Sequence, residues 1–272
     1  MTPVSLTDTD WNAEWMRLQA ARESAHDSSY WDRRADDFSP SADTTYATTF
    51  IAYVGLLPGE SVLDVGCGAG TLALPLARDG HAVRALDFSE RMLAILEARA
   101  AAEGLQNVTT VRASWEDDWR AAGVGAVDVA IASRSIAVKD LRAALRKLDE
   151  AARRRVCLTV PTDALLPSLI AQAAVGRARR RRTDYIYTVT VLFQMGITPE
   201  VRLLRHVWDQ PFASLERARD SLRHLVAPVD GHEEELLDRY LTEHLHETGD
   251  GEAWKLDQTI AMSWAFIAWD KA

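Results

Sequence analysis

Between residues 61 and 161, short apolar runs alternate with helix-length amphipathic segments, and this alternation restricts the fold more than any other feature of the chain. Ser61–Val65, Ala82–Leu86, Val108–Val111, Val127–Ala132 and Arg155–Val160 read as strands. Helices are expected at Thr71–Arg78, from Glu90 to about Glu103 and from Lys139 to about Ala152, and Pro161 closes the fifth strand. Strands that alternate with helices build βαβ units, and these build a parallel sheet covered on both faces.

The flanking regions are helical in pattern. Trp11, Trp15 and Leu18 fall at i, i+4 and i+7, one face of a helix, and Tyr30, Trp31, Arg34 and Phe38 are spaced similarly. A further helix is expected from Thr44 to Leu57, stopped by Pro58-Gly59. Beyond Pro161 come helical patterns at Asp163–Arg177 and Tyr185–Met195, and a polar helix-forming stretch at about Ser214–His246. Two late strand-like runs, Val201–Trp208 and Thr259–Trp269, suggest an antiparallel edge on the parallel sheet.

The stretch VLDVGCGAGTLALPLA, residues 62–77, holds the most chemistry. A strand carries Asp64 near its end, and Gly66, Gly68 and Gly70 then turn the chain into a helix. Glycine accepts positive φ and lets backbone approach a ligand closely. The crevice beyond the carboxyl ends of such strands is where open α/β sheets bind ligands. The dinucleotide fingerprint spaces its glycines G-x-G-x-x-G. Here the spacing is G-x-G-x-G, with an acid two residues before the first glycine. A second acid, Asp87, closes the next strand 17 residues after Gly70. An acid there can accept hydrogen bonds from both hydroxyls of a ribose.

This segment closely resembles motif I of the class I S-adenosylmethionine-dependent methyltransferases, and by motif and order the resemblance covers roughly residues 30–160. It implies an α/β, Rossmann-like doubly wound sheet, mostly parallel with an antiparallel C-terminal edge, plus a helical cap. It also implies S-adenosyl-L-methionine as cofactor. Asp64 would attract the ammonium of the methionine end, and Gly66, Cys67, Gly68 and Gly70 would form the cradle. Asp87 would take the ribose, and Phe88 and Met92 would lie by the adenine. Such a family usually places an Asp after the third strand for the adenine amino group. This chain has Ala113-Ser114-Trp115-Glu116-Asp117, with Ser114 at that position. Ser114 or Glu116 could supply the acceptor, and the Trp115 backbone N–H could meet the ring nitrogen. Ser133, Arg134 and Ser135 follow the fourth strand, where the family borders methyl donor and acceptor. The expected division is a single domain, 1–272: an N-terminal helical cap (1–57), a cofactor-binding core (58–161), substrate-side segments with one strand (162–258) and a C-terminal strand (259–272).

Each of these features has a plainer reading. Asp87 could merely cap a helix, and residues 114–117 could be a solvated helix start. Arg134 could bind a substrate carboxylate or phosphate with its planar fork, or pair with a structural acid. His206 reads better as a core or edge histidine than as a general base. The arginines at 177 and 179–182 could bind a polyanion but read better as a solvated surface. Trp11, Trp15, Tyr30 and Trp31 could roof an acceptor pocket or simply pack on the core. The roof expected here joins Tyr30, Trp31 and Arg34 to Asp184, Tyr185, Tyr187 and Gln194, over an acceptor that the parallel sheet alone would leave open to water.

Bulk properties narrow the function. The net charge of −9 argues against general nucleic-acid binding. Two cysteines, Cys67 and Cys157, exclude a disulfide scaffold and a four-cysteine zinc site. No basic and apolar leader opens the chain and no apolar run approaches bilayer length, so a cytoplasmic protein is expected. The segment after the fourth strand lacks the Asn/Asp-Pro-Pro-aromatic run of exocyclic-amine enzymes and the cysteine nucleophile of cytosine-C5 enzymes. A small-molecule acceptor, methylated without metal or covalent catalysis, is therefore expected. The competing readings are an RNA or protein methyltransferase docking through residues 177–182, an NAD-dependent dehydrogenase and a non-catalytic cofactor-binding protein.

Overall fold

The computed structural model describes residues 6–20, 44–162, 166–177, 183–208, 211–226, 229–248, 253–257 and 260–271. Two helices precede the sheet, α1 (Trp11–Ala20) and α2 (Thr44–Val54). Then come β1 (Val62–Val65), α3 (Ala73–Arg78), β2 (Val83–Asp87), α4 (Glu90–Ala102), β3 (Val108–Arg112), β4 (Val127–Ser133), α5 (Leu141–Ala151) and β5 (Ala152–Pro161). The chain continues through α6 (Leu166–Ala174), α7 (Asp184–Gln194), β6 (Glu200–Trp208), α8 (Leu215–Val226) and α9 (Gly231–His244). It ends with β7 (Leu245–Glu247), β8 (Trp254–Leu256) and β9 (Ile260–Asp270).

Seven strands form one sheet in the order β3-β2-β1-β4-β5-β9-β6. The first five are parallel, with Val62 beside both Val83 and Val129, Val83 beside Val108 and Val127 beside Ala152. All four residues of β1 are buried, as a central strand with helices on both faces requires. The last strand runs the other way. Lys271 N donates to Arg154 O at 2.6 Å and Thr162 N donates to Ser263 O at 3.3 Å, so residue numbers rise on β5 as they fall on β9. The doubly wound α/β fold with an antiparallel C-terminal edge is therefore as the sequence implied.

Element ends differ from expectation for local reasons. The helix after the glycine loop begins at Ala73 rather than Thr71, because Gly70 N still closes a turn on Cys67 O. The helix expected to reach Leu57 stops at Val54, where Gly55 takes φ +64° and its N–H bonds Ile51 O, a C-terminal glycine cap. Ser89 and Asp140 cap α4 and α5 by accepting from Met92 N and Ala143 N. The short hairpin of β7 and β8 gave no sequence signal.

Contacts divide the chain into two compact units. The first holds residues 1–160, 184–204 and 265–272. Its core joins Leu63, Val65, Ala130, Val156 and Leu158 of the strands to Leu141, Leu145 and Leu148 of α5. Trp15 of α1 belongs to the same core, at 1% exposure, and its Nε1 donates to Val138 O at 2.9 Å. Asn12 Nδ2 donates to Asp140 Oδ1, and Asn12 Oδ1 accepts from Arg142 N, so α1 is tied to the start of α5. The second unit, residues 161–183 and 205–264, has its own core of Ala171, Val175, Leu222, Leu237 and Leu241. Within it Arg177 grips Glu233 with two 2.6 Å bonds and donates to Val226 O. Residues 178–182, the rest of the basic run, lie outside the described residues, as does the side chain of His206. Among the described residues no helix is long and apolar enough to cross a membrane.

Trp15 makes α1 part of the first unit rather than an appendage. Trp15→Ala is expected to lower stability by about 3–5 kcal/mol in denaturant unfolding, the range for removing a buried large aromatic side chain. A loss under about 0.5 kcal/mol, the scale of an ordinary surface change, would show that α1 is not integrated into this core.

Candidate cofactor site

The chain moves outward from β1 in both directions, to β2 and β3 on one side and to β4 and β5 on the other. Such a switch opens a crevice at the carboxyl ends of the two central strands. The glycine loop leaves β1 and the segment Ser133-Arg134-Ser135 leaves β4, so both border that crevice. Gly66 and Cys67 donate their N–H groups to Leu86 O at 2.7 and 3.1 Å, which folds the loop across the end of β2.

The glycines answer different needs. A Cβ on Gly66 would stand 2.3 Å from Ser135 Cβ, so Gly66 lets the loop touch the β4 segment. A Cβ on Gly70 would meet Leu96 Cδ1 at 2.5 Å, so Gly70 admits α4. Gly68, at φ +52°, is the contrast: a Cβ there would meet nothing within 4 Å. Its bare Cα therefore faces open space, as a surface that takes a ligand must.

Two buried carboxylates stand beside this loop. Asp87, at 5% exposure, accepts from Gly68 N at 2.8 Å and from Ser89 N at 2.9 Å. Asp64, at 2% exposure, has a buried Oδ2 with no hydrogen-bond partner among the described residues. Burial, and next the charge of Asp87, push the Asp64 carboxyl up to about 7, against the lowering effect of the Ala73 N–H. A buried carboxylate oxygen without a donor is costly, and an ammonium is the group that would relieve it. An unfilled donor requirement beside an open glycine face fits the methionine end of S-adenosylmethionine. Cys67 is buried between these acids, and burial first and then their charges push its thiol up, so it is an inert wall. Phe88 is partly exposed, whereas Met92 is buried against Ala69 with Ile95 beside it.

The turn after β3 is closed on itself. Ser114 Oγ accepts from Glu116 N and Asp117 N at 3.2 and 3.3 Å, while Ser114 N donates to Asp117 Oδ2 at 2.7 Å. Both lone pairs of that hydroxyl are thereby engaged. Ser114 can still donate, and the exposed Glu116 is a side-chain acceptor in this turn. The Trp115 ring packs against the core and donates from Nε1 to Ser135 O at 3.0 Å. Lys147 Nζ holds the turn from α5, donating to Trp115 O and Asp117 O at 2.6 Å each.

The expected acceptor-side residues are dispersed. Tyr30, Trp31 and Arg34 lie outside the described residues. Tyr185 and Tyr187 are half-buried against the core, and Tyr187 meets Trp11 and Trp15 edge-on with ring centroids 6.0 Å apart in each case. Gln194 accepts from Trp11 N and donates to Thr9 O. These side chains join α1 to α7. Arg134 is exposed at the end of β4, next to Ser133. Sequence reasoning missed two residues there. Tyr46 of α2, fully buried, places its hydroxyl 2.7 Å from Ser133 Oγ and 2.8 Å from Thr159 Oγ1. The one available signal was a threonine inside the apolar run VCLTVP; Tyr46 gave none.

The glycines give a separable test. Gly66→Ala is expected to destabilise the fold itself, since Ser135 is fixed by its 2.6 Å bond to Val65 O. Gly68→Val adds only the strain of positive φ, about 1–2 kcal/mol, yet is expected to abolish S-adenosylhomocysteine binding. Melting curves and calorimetry on both variants check this, and full binding by Gly68→Val would contradict the assignment of the open face.

Comparison with known proteins agrees with this geometry. A family model described as a methyltransferase domain matches residues 62–154. An uncharacterized protein of Haemophilus influenzae is 35% identical over 177 residues, 64% of this chain and 65% of its own length. The chain spans less than two thirds of the length of the first curated relatives it matches. A candidate methyltransferase from Bacillus halodurans has the same fold at TM-score 0.54 and 14% identity, over 83% of this chain and 98% of its own. Magnesium protoporphyrin IX methyltransferase from Synechocystis, solved with S-adenosylhomocysteine bound, superposes at TM-score 0.50 and 16% identity over 97% of this chain and 95% of its own. The matched segment is the one that builds β1 through the start of β5 and carries the glycine loop, Asp64 and Asp87: the chain contains a class I S-adenosylmethionine-dependent methyltransferase domain.

Proposed function

We propose that the protein transfers the methyl group of S-adenosylmethionine directly and in line to a small molecule. The observation that carries this reading is the buried, donorless Oδ2 of Asp64 beside the open face of Gly68. The cofactor, when bound, supplies a sulfonium-bound methyl group open to nucleophilic displacement. Asp64 would pair with the ammonium of its methionine end. Asp87, which also accepts from Gly68 N and Ser89 N, would accept from the ribose hydroxyls. Phe88 and Met92 would offer apolar surface to the adenine, with Glu116 as the carboxylate nearest in sequence for its amino group. Residues 58–161 are thus assigned as the cofactor core. Holding an acceptor in line with the reacting bond contributes on the order of 7–11 kcal/mol, so catalysis needs placement more than acid–base help.

Asp64 makes cofactor binding pH-dependent. Its raised carboxyl, near 7, is partly protonated in the empty protein at neutral pH. For folding, the raised value means that ionisation costs stability, a cost absent below the unfolded value of about 3.9 and growing as pH rises toward 7. For binding, an ammonium partner favours the ionised form, so association below pH 7 releases a proton. Affinity for S-adenosylhomocysteine is expected to rise from pH 6 to about pH 7.5 and then level, by at most about tenfold per unit. Calorimetry at pH 6 in two buffers of different ionisation heat is expected to report that release. Asp64→Asn should bind more weakly and without this dependence. A pH-independent wild-type affinity would remove Asp64 from the ammonium site.

Asp87 has a structural duty as well as a ligand role. Asp87→Ala frees two backbone donors, each hydrogen bond to a charged acceptor contributing about 1.5–3 kcal/mol. The variant is expected to lose melting temperature as well as roughly tenfold or more in S-adenosylhomocysteine affinity. Unchanged affinity would mean that Asp87 is not the ribose ligand. The activity itself is tested by incubating the protein with methyl-labelled cofactor and a small-metabolite extract: label in a small product is expected, and label only in added RNA or protein would overturn the small-molecule reading.

A further inference from the structure

The turn after β3 borders the crevice at both of its ends. Ala113 N donates to Asp87 O at 3.1 Å, so the turn starts beside the acid assigned to the ribose. Trp115 Nε1 then reaches Ser135 O on the segment that packs against Gly66. Within this turn the hydrogen bonds leave one donor over. Of the three consecutive backbone N–H groups at 115, 116 and 117, Ser114 Oγ takes the second and third. Trp115 N–H has no partner among the described residues, although Trp115 is half-buried and its ring nitrogen and carbonyl are both paired. A backbone N–H in that position needs an acceptor from water or a ligand.

Two side chains fix where that N–H points. A trans peptide is planar, so its carbonyl and its N–H face opposite ways. Trp119, at 5% exposure, donates from Nε1 to Ser114 O at 2.8 Å. The peptide joining Ser114 to Trp115 is thereby held with its carbonyl toward the buried indole and its N–H away from it. Lys147 holds the next peptide through its 2.6 Å bond to Trp115 O. Both peptides flanking Trp115 are therefore set from outside the turn. The two holders also touch each other, with Lys147 Nζ 5.4 Å from the centroid of the Trp119 ring. The residue at the usual acid position gives no carboxylate here, and Glu116 is exposed. A carboxylate in water already has hydrogen-bond partners and gains little by exchanging them. Discrimination at the base therefore falls on the N–H of Trp115.

Resting on the methyltransferase reading above, we propose that Trp119 and Lys147 are positioning residues for the adenine end of the cofactor. They hold the peptides around Trp115 so that its N–H meets a ring-nitrogen acceptor, and this sets a preference for adenine over hypoxanthine. Hypoxanthine carries a hydrogen on the ring nitrogen beside its carbonyl, so it would set donor against donor.

The test is calorimetry on the full chain with S-adenosylhomocysteine and S-inosylhomocysteine, which share their ribose and homocysteine ends and differ in the base alone. Wild type is expected to prefer the adenine ligand by at least about tenfold, because the wrong base leaves a donor unpaired. Lys147→Met keeps the stem of the side chain and removes the ammonium. It is expected to shrink that preference by at least about threefold, through weaker binding of the adenine ligand, with the proton release tied to Asp64 unchanged. Lys147→Arg can still donate to both carbonyls and is expected to restore the preference. Trp119→Phe keeps a buried ring, removes Nε1–H and is expected to act as Lys147→Met does. A merely structural role would weaken both ligands alike and leave their ratio at the wild-type value. Equal affinities in wild type, or a wild-type ratio in folded Lys147→Met, would overturn the proposal. Lys147 is half-buried on α5, so the test does not depend on Trp119→Phe folding. Either result would leave methyl transfer itself standing, whereas the methyltransferase reading fails on wild-type protein that does not bind S-adenosylhomocysteine.

Discussion

The carboxylate of Asp87 is the point on which the site depends. One oxygen accepts from Gly68 N in the loop after β1, and the other accepts from Ser89 N at the start of α4. Two turns that belong to different βαβ units are thereby held by one side chain. Leu86 O, accepting from Gly66 and Cys67, ties the same loop to the same strand end. With the loop fixed, Gly68 faces open space and Asp64 is buried with its Oδ2 unpartnered among the described residues. The negative pair is tolerable because Asp87 is satisfied by backbone N–H groups while Asp64 is held partly protonated. A cationic ligand group would pair with the buried Oδ2 of Asp64.

How much of this could be read from the amino acids follows from sequence distance. Asp64, the three glycines and Asp87 lie within 24 residues, and their roles come from one strand–turn–helix–strand passage, so spacing alone points to them. The parallel sheet follows from the alternation of strands and helices, and the antiparallel edge from the two late strand-like runs. Helix ends were less legible, because they turn on single caps such as Gly55 and Asp140. The Ser114–Asp117 turn shows the limit of motif matching. The residue at the usual acid position has its acceptor capacity engaged by its own turn, a fact visible only in coordinates.

Long-range partnerships were not legible at all. Tyr46 meets Ser133 and Thr159 across 87 and 113 residues of chain. In sequence Tyr46 is one more aromatic residue on an apolar helix. The same holds for Tyr187 and Gln194, whose partners, Trp11, Trp15 and Thr9, come from the far end of the chain. Those partners are structural, and they join the N-terminal helix to the core of the first unit.

The account rests on one claim, that the crevice beside the glycine loop is shaped for a cationic, ribose-bearing methyl donor and not for a dinucleotide. The direct measurement is a thermal-shift comparison of S-adenosylhomocysteine with NAD on the intact protein. Saturation at about 100 times the dissociation constant stabilises a protein by about 2.7 kcal/mol, and the account predicts that shift for S-adenosylhomocysteine and none for NAD. A shift with NAD, or a flat response to S-adenosylhomocysteine at millimolar concentration, would contradict it.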